Sequence, residues 1–154
     1  MTAREDRKPL LLFICTANSA RSQMAEALMR RHAGEHFEIH SAGVRPTGIN
    51  PLTIRVLEEI GLDTGGLRSQ GLDEYLGKVH VNRVFIVCAQ AQRDCPRIHG
   101  ATATEFWPLD DPAAAEGTEE QRLERFREIR DQIDARIRGW LAGQGIASAV
   151  PAVS

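Results

Sequence analysis

The chain has 154 residues, 42% of them hydrophobic and 26% charged, with 19 basic against 21 acidic side chains. That length suits one domain around one core, and a formal net charge of −2 argues against whole-surface attraction to nucleic acid or membranes. No apolar run approaches the roughly 20 residues of a spanning helix, Pro9 to Ile14 is too short for a signal-peptide core, and composition excludes collagen, disorder and a disulfide scaffold.

Leu10 to Ile14 is a continuous apolar run, compatible with a strand buried on both faces. It breaks at Cys15-Thr16-Ala17-Asn18-Ser19-Ala20-Arg21-Ser22, and from Gln23 to His32 the apolar residues fall on helical spacing. Phe37 to Gly43 alternates with period two and predicts a second strand. Pro46 to Asn50 is turn-rich, and Asn50-Pro51 starts a helix that carries Leu52, Val56, Leu57 and Ile60 and closes at Gly61. A weak helical stretch follows from Ser69 to Leu76. Val84 to Cys88 predicts the third central strand, and Thr104 to Leu109 a final one ending in Asp110-Asp111-Pro112. The last helix runs from about Thr118 to Leu141, opens on a Thr118…Gln121 capping box, and lines Leu123, Phe126, Ile129, Ile133 and Ile137 on one face. The expectation is a single cytoplasmic domain over 1–154, with its core at about 9–142 and a loose tail from 143 to 154.

Strands alternating with helices imply a parallel sheet flanked by helices on both faces, three layers in all. Ligands of such sheets bind beyond the carboxyl ends of the strands, where Cys15, Cys88 and Asp110-Asp111 all arrive. Three cysteines, Cys15, Cys88 and Cys95, cannot all pair within the chain, so at least one is free.

Cys15-x5-Arg21-Ser22 stands between a strand and a helix. The first turn of a helix leaves N–H groups unpaired and carries partial positive charge, so the small and polar residues Thr16, Ala17, Asn18, Ser19 and Ala20 can wrap N–H groups around a tetrahedral oxyanion. Arg21 adds a planar fork for two of its oxygens. The same field favours a thiolate on Cys15, and Ser22 and Asn18 offer further hydrogen bonds. A bare Cys-x5-Arg is common by chance; its place after a buried strand and before a helix is what the chemistry requires.

Phe13 to Glu26 resembles the active-site segment of the arsenate reductases related to low-molecular-weight protein tyrosine phosphatases. The resemblance continues through His40-Ser41-Ala42-Gly43, Gly48-Ile49-Asn50-Pro51, Cys88…Cys95-Pro96, Trp107 to Ala113 and Gly117 to Glu120, covering nearly the whole chain. Gln23 follows the reductase pattern, because phosphatases of this fold usually carry proline after the serine. The resemblance implies a four-stranded parallel sheet flanked by helices, with the oxyanion loop after the first strand.

It also implies a division of labour. Reducing arsenate to arsenite takes two electrons, which two thiols supply by becoming a disulfide. By resemblance to the thioredoxin-coupled reductases, Cys15 attacks arsenate while Asp111, the aspartate before proline, protonates the departing oxygen. Cys88 then resolves the adduct, and Cys95 attacks Cys88 to leave a disulfide that thioredoxin or a similar thiol reductant reduces. An intact helix would hold Cys88 and Cys95 too far apart to bond, so if the segment between them starts as a strand end and a helical turn it has to unwind or loop out. Asp110 is expected to face solvent or cap the following turn. No bound cofactor is expected, and the chain is taken as a monomer.

Ala17 replaces the family's usual glycine, and Ala20 a cysteine often found in the loop. Some members bind potassium at positions matching Asn18, Glu26 and Ser41, but Arg68 and Gln70 align with the remaining ligands, and a guanidinium opposes a cation. No metal site is expected there, nor at the five histidines, which are read as surface or partly buried. Two other readings stay open: a protein tyrosine or small-molecule phosphatase using Cys15, Arg21 and Asp111, and a non-catalytic oxyanion-binding module. Phosphatases of this fold often place tyrosines near the acid, whereas Tyr75 is the chain's only tyrosine and is distant in sequence.

Overall fold

The structure is a computed structural model that describes residues 8–75, 77–89, 91 and 103–150. Its four strands are β1 (Leu10–Cys15), β2 (Glu38–Gly43), β3 (Arg83–Ile86) and β4 (Ala103–Phe106). They pair in parallel, as the alternating pattern predicts, and stand in the order β2-β1-β3-β4. β1 lies between two partners and every one of its residues is buried, which is why its sequence is a continuous apolar run. Among the described residues, three helices accompany the sheet: α1 (Arg21–Ala33), α2 (Pro51–Glu58) and α3 (Glu119–Gly143).

The helix ends follow their capping chemistry. Asn50 accepts a hydrogen bond from Leu52 N–H at 2.9 Å, with Pro51 at the first helical position. Thr118 and Gln121 close the expected capping box at the start of α3, whose buried face carries Leu123, Phe126, Ile129, Ile133, Ile137 and Leu141. Phe13 stacks on Phe85 and Trp107 packs tilted against Phe85, across β1, β3 and the segment after β4, with centroids 4.6 Å apart in both pairs.

Several expectations change. β4 stops at Phe106 rather than Leu109. Trp107 N–H and Leu109 N–H still bond the Ile86 and Val87 carbonyls, but consecutive carbonyls of a regular strand point to opposite sides, so the chain has left strand geometry at Val87 and the ladder ends. Among the described residues, the stretch from Ser69 onward is helical only in a single 3-10 turn at Leu72–Glu74. Before that turn, Gln70 C=O accepts from Gly43 N–H at 2.8 Å and Gly71 bridges Gly43, so the end of β2 holds this stretch extended.

The chain after α3 is also tied down as far as residue 150. Ala149 N–H donates to His32 C=O at 2.8 Å, and Ser148 Oγ lies 2.5 Å from His32 Nδ1. His32 is therefore not a surface histidine: it is buried, and its Nε2 faces Asp134 of α3 at 2.6 Å. Burial alone pushes the Asp134 carboxyl up, but hydrogen bonds from His32 and Arg138 outweigh it and hold the group below its usual range.

Candidate active site

β1 ends on Cys15 and α1 begins at Arg21, so residues 16–20 form the turn between them. Their carbonyls face outward, each engaged by a donor. Cys15, Thr16 and Ala17 accept from the N–H groups of Val44, Arg45 and Thr47, and Asn18 accepts from Gln23 Nε2. Ser19 accepts from Asn50 N–H and Thr53 Oγ1, and Ala20 from Met24 N–H. A trans peptide points its N–H opposite to its C=O, so the N–H groups of residues 16–21 turn inward. α1 begins without a side-chain cap at Ala20 and without an acidic residue in its first turn. The result is a cradle of donors at a helix N-terminus, which suits a tetrahedral oxyanion.

Two close approaches make this turn possible. Asn18 takes the left-handed conformation, with φ of 49°, the backbone state that asparagine tolerates better than most residues. Ala17 keeps a negative φ and does not need the glycine that the family usually has there. Gly43, opposite Cys15 on β2, has no room for a side chain: a Cβ would stand 2.8 Å from Asn18 N and 2.9 Å from Ala17 C. Spacing alone gave no sign of this role for Gly43.

Cys15 is buried at 2% exposure, and its Sγ accepts from Asn18 N–H at 3.2 Å. Ser22 Oγ lies 2.9 Å from the same sulfur and accepts from Asn18 Nδ2 at 2.7 Å, which leaves its own proton for Cys15. Asn18 Nδ2 also donates to Ser41 Oγ, and Ser41 donates to the buried Glu26 at 2.7 Å. Desolvation raises the Glu26 carboxyl above its ordinary range, opposed by the Ser41 hydrogen bond and by Arg30, 2.8 Å away. Asn18 Oδ1 faces Gln70 N–H at 2.8 Å, so its amide can be oriented only one way.

Among the described residues, no group of three or more His, Cys, Asp or Glu could hold a metal ion. Arg68 and Gln70 bond to each other, and Gln70 Nε2 lies 2.9 Å from the hydroxyl of the buried Tyr75.

β3 stops at Ile86 rather than reaching Cys88 as expected, so Cys88 lies two residues beyond the strand; it is buried at 1% exposure. Its Sγ is 3.4 Å from Oγ1 of Thr16, the residue after Cys15, and accepts from Ala91 N–H at 3.3 Å. Cys95 lies outside the described residues. Arg21 Nη1 donates to Leu109 C=O at 2.9 Å, and Nη2 is 3.9 Å from Asp111 Oδ2. Asp111, not Asp110, caps the following 3-10 turn (Pro112–Ala114), accepting from Ala113 N–H at 2.9 Å. Asp110 points away, with 83% of its side chain exposed and an ion pair to Arg125. Cys15, Arg21, Cys88 and Asp111 are thus gathered at the carboxyl edge of the sheet; Leu109 C=O, which holds Arg21, carries no side-chain signal that sequence could show.

Comparison with known proteins agrees with this geometry. The family model for low molecular weight phosphotyrosine protein phosphatases matches residues 10–150. An arsenate reductase of Halalkalibacterium halodurans is 37% identical over 131 residues, covering 85% of this chain and 94% of the relative. A solved structure described as an arsenate reductase in the phosphate binding state superposes with a TM-score of 0.74 at 27% identity, over 88% of this chain and 98% of that one. A thioredoxin-dependent arsenate reductase of Corynebacterium glutamicum superposes at 0.66 with 28% identity, over 89% of this chain and 62% of that one. The chain belongs to the low molecular weight phosphotyrosine protein phosphatase family and is similar, within it, to the arsenate reductases.

Proposed function

We propose that the protein reduces arsenate to arsenite, with Cys15 as nucleophile and Cys15, Cys88 and Cys95 as a thiol relay recharged by thioredoxin. The observation that carries this reading is a second buried thiol, Cys88, 3.4 Å from Thr16 Oγ1 at the rim of the oxyanion cradle. A phosphatase has no use for that thiol. A two-electron reductase needs it.

Arsenate enters the cradle, where inward N–H groups and the Arg21 fork hold its oxygens. The Cys15 sulfur, aligned by Ser22 and Asn18, attacks arsenic, and Asp111 gives its proton to the departing oxygen, which leaves as water. Cys88 then attacks Cys15 Sγ. The electron pair of the sulfur–arsenic bond goes to arsenic, arsenite leaves, and a Cys15–Cys88 disulfide remains. Cys95 takes over Cys88, freeing Cys15, and thioredoxin reduces the Cys88–Cys95 disulfide. The similarity to a thioredoxin-dependent reductase supports that donor. Burial of Tyr75 against His40 and Gln70 fits a small inorganic substrate better than an aromatic one.

The test is NADPH oxidation in the presence of thioredoxin and thioredoxin reductase, with and without arsenate. Arsenate-dependent turnover is expected from the wild type and none from Cys15→Ser, which lacks a thiolate at neutral pH. Arg21→Lys should fail nearly as badly, because a point charge cannot replace a bidentate fork. Brisk hydrolysis of p-nitrophenyl phosphate without arsenate-dependent oxidation would favour the phosphatase reading instead.

A further inference from the structure

Gln23 lies in the first turn of α1 with its side chain folded back on the loop, at 0% exposure. Its amide nitrogen reaches three acceptors: Asn18 C=O at 3.1 Å, Asn18 Oδ1 at 3.0 Å and Arg68 C=O at 2.8 Å. All three only accept, so the nitrogen must face them and the amide cannot be flipped. Its oxygen, Gln23 Oε1, is equally buried and has no hydrogen-bond partner among the described residues. One half of this amide is used three times and the other half not at all. The site asks for the donor.

We infer that Gln23 is a positioning residue, which locks Asn18 in its left-handed conformation and thereby aims Asn18 N–H and Ser22 Oγ at the Cys15 sulfur. Gln23 grips Asn18 at main chain and side chain together, fixing the peptide that follows the positive φ and the side-chain amide that supports Ser22. It also ties the loop to Arg68, two residues before the Gln70 N–H that holds Asn18 Oδ1 from the other side. Asn18 is thus clamped from α1 and from the 68–70 segment, and Gln23 belongs to both clamps. Gln23 does not touch the sulfur or the substrate; it acts through Asn18.

This inference rests on Cys15 being the nucleophile, and a double-mutant cycle separates the two. Single-turnover arsenite formation is measured for wild type, Gln23→Met, Asn18→Ala and the double variant, per mole of Cys15 alkylated and protected by phosphate. Gln23→Met removes three contacts at nearly constant volume and should slow the step roughly ten- to hundredfold. If Gln23 acts through Asn18, the loss in the double variant should fall well short of the product of the two single losses, because Asn18→Ala has already removed one of the contacts that Gln23→Met breaks and leaves the main-chain one. A merely structural role multiplies the two losses, and that result overturns the inference. Gln23→His keeps a ring N–H of similar reach and should recover part of the rate; equal rates for Gln23→His and Gln23→Met also overturn it. Should Gln23→Met fail to fold, the cycle is read on Gln23→His. Wild-type activity in Asn18→Ala would sink the inference alone, whereas arsenite from Cys15→Ser would sink the nucleophile and the inference with it.

Discussion

Asp110 and Asp111 are chain neighbours with opposite surroundings. Asp111 Oδ2 stands 3.9 Å from the Arg21 guanidinium, while Asp110 pairs with Arg125 on α3 and is largely in water. Asp111→Asn should therefore slow adduct formation by about a hundredfold or more, the usual cost of losing a general acid, and Asp110→Asn should change it little. Rapid-quench measurement of the first turnover checks both, and a larger effect at Asp110 would reverse the assignment. Glu26 makes a separate prediction about pH. Burial raises its carboxyl above 4.5 in the folded protein, so the stability it contributes is full below that value and falls as pH climbs through the raised one. Melting temperatures of wild type and Glu26→Gln, compared from about pH 4 to 7, should shift in favour of the variant as pH rises. A difference independent of pH would show that Glu26 titrates alike in the folded and unfolded chains. The gathering of Cys15, Cys88 and Asp110-Asp111 at one sheet edge was legible because each comes after an apolar run, Arg21 stood out by its spacing from Cys15, and the choice of Asp111 over Asp110 came from the resemblance. The roles of Gly43 and Leu109 C=O were not legible, because they lie in backbone geometry that no side chain announces.

At the scale of elements, hydrophobic period and capping chemistry located the strands and helices to within a few residues. Errors arose where a long-range contact overrode local pattern. The stretch after Ser69 has helical spacing, yet β2 and Asn18 claim the Gln70 backbone and hold it extended. The chain after α3 has no pattern at all, yet His32 anchors it through Ser148 and Ala149. The packing of β2 against the loop makes its own prediction. A methyl group at Gly43 would meet Asn18 N at 2.8 Å and Ala17 C at 2.9 Å, both backbone atoms that cannot rotate away. Gly43→Ala should therefore displace the cradle, weaken phosphate binding and cut turnover by up to roughly a hundredfold. Titration calorimetry with phosphate alongside steady-state rates checks this; unchanged binding would mean that the loop yields without loss.

On the scale of the whole molecule, the parallel sheet brings the end of β1, the end of β3 and the segment after β4 to one edge. Three stretches far apart in sequence thereby bring Cys15, Cys88 and Asp111 to one place, beside the loop of residues 16–20. Whether the second thiol carries electrons is the point on which reductase and phosphatase differ. The most direct measurement mixes fully reduced enzyme with arsenate and no external reductant, then counts arsenite and remaining thiols by mass spectrometry. Cys95→Ser should yield about one arsenite per enzyme with two thiols lost as a Cys15–Cys88 disulfide, and Cys88→Ser should yield none. Arsenite from Cys88→Ser in the yield of the wild type would contradict the relay.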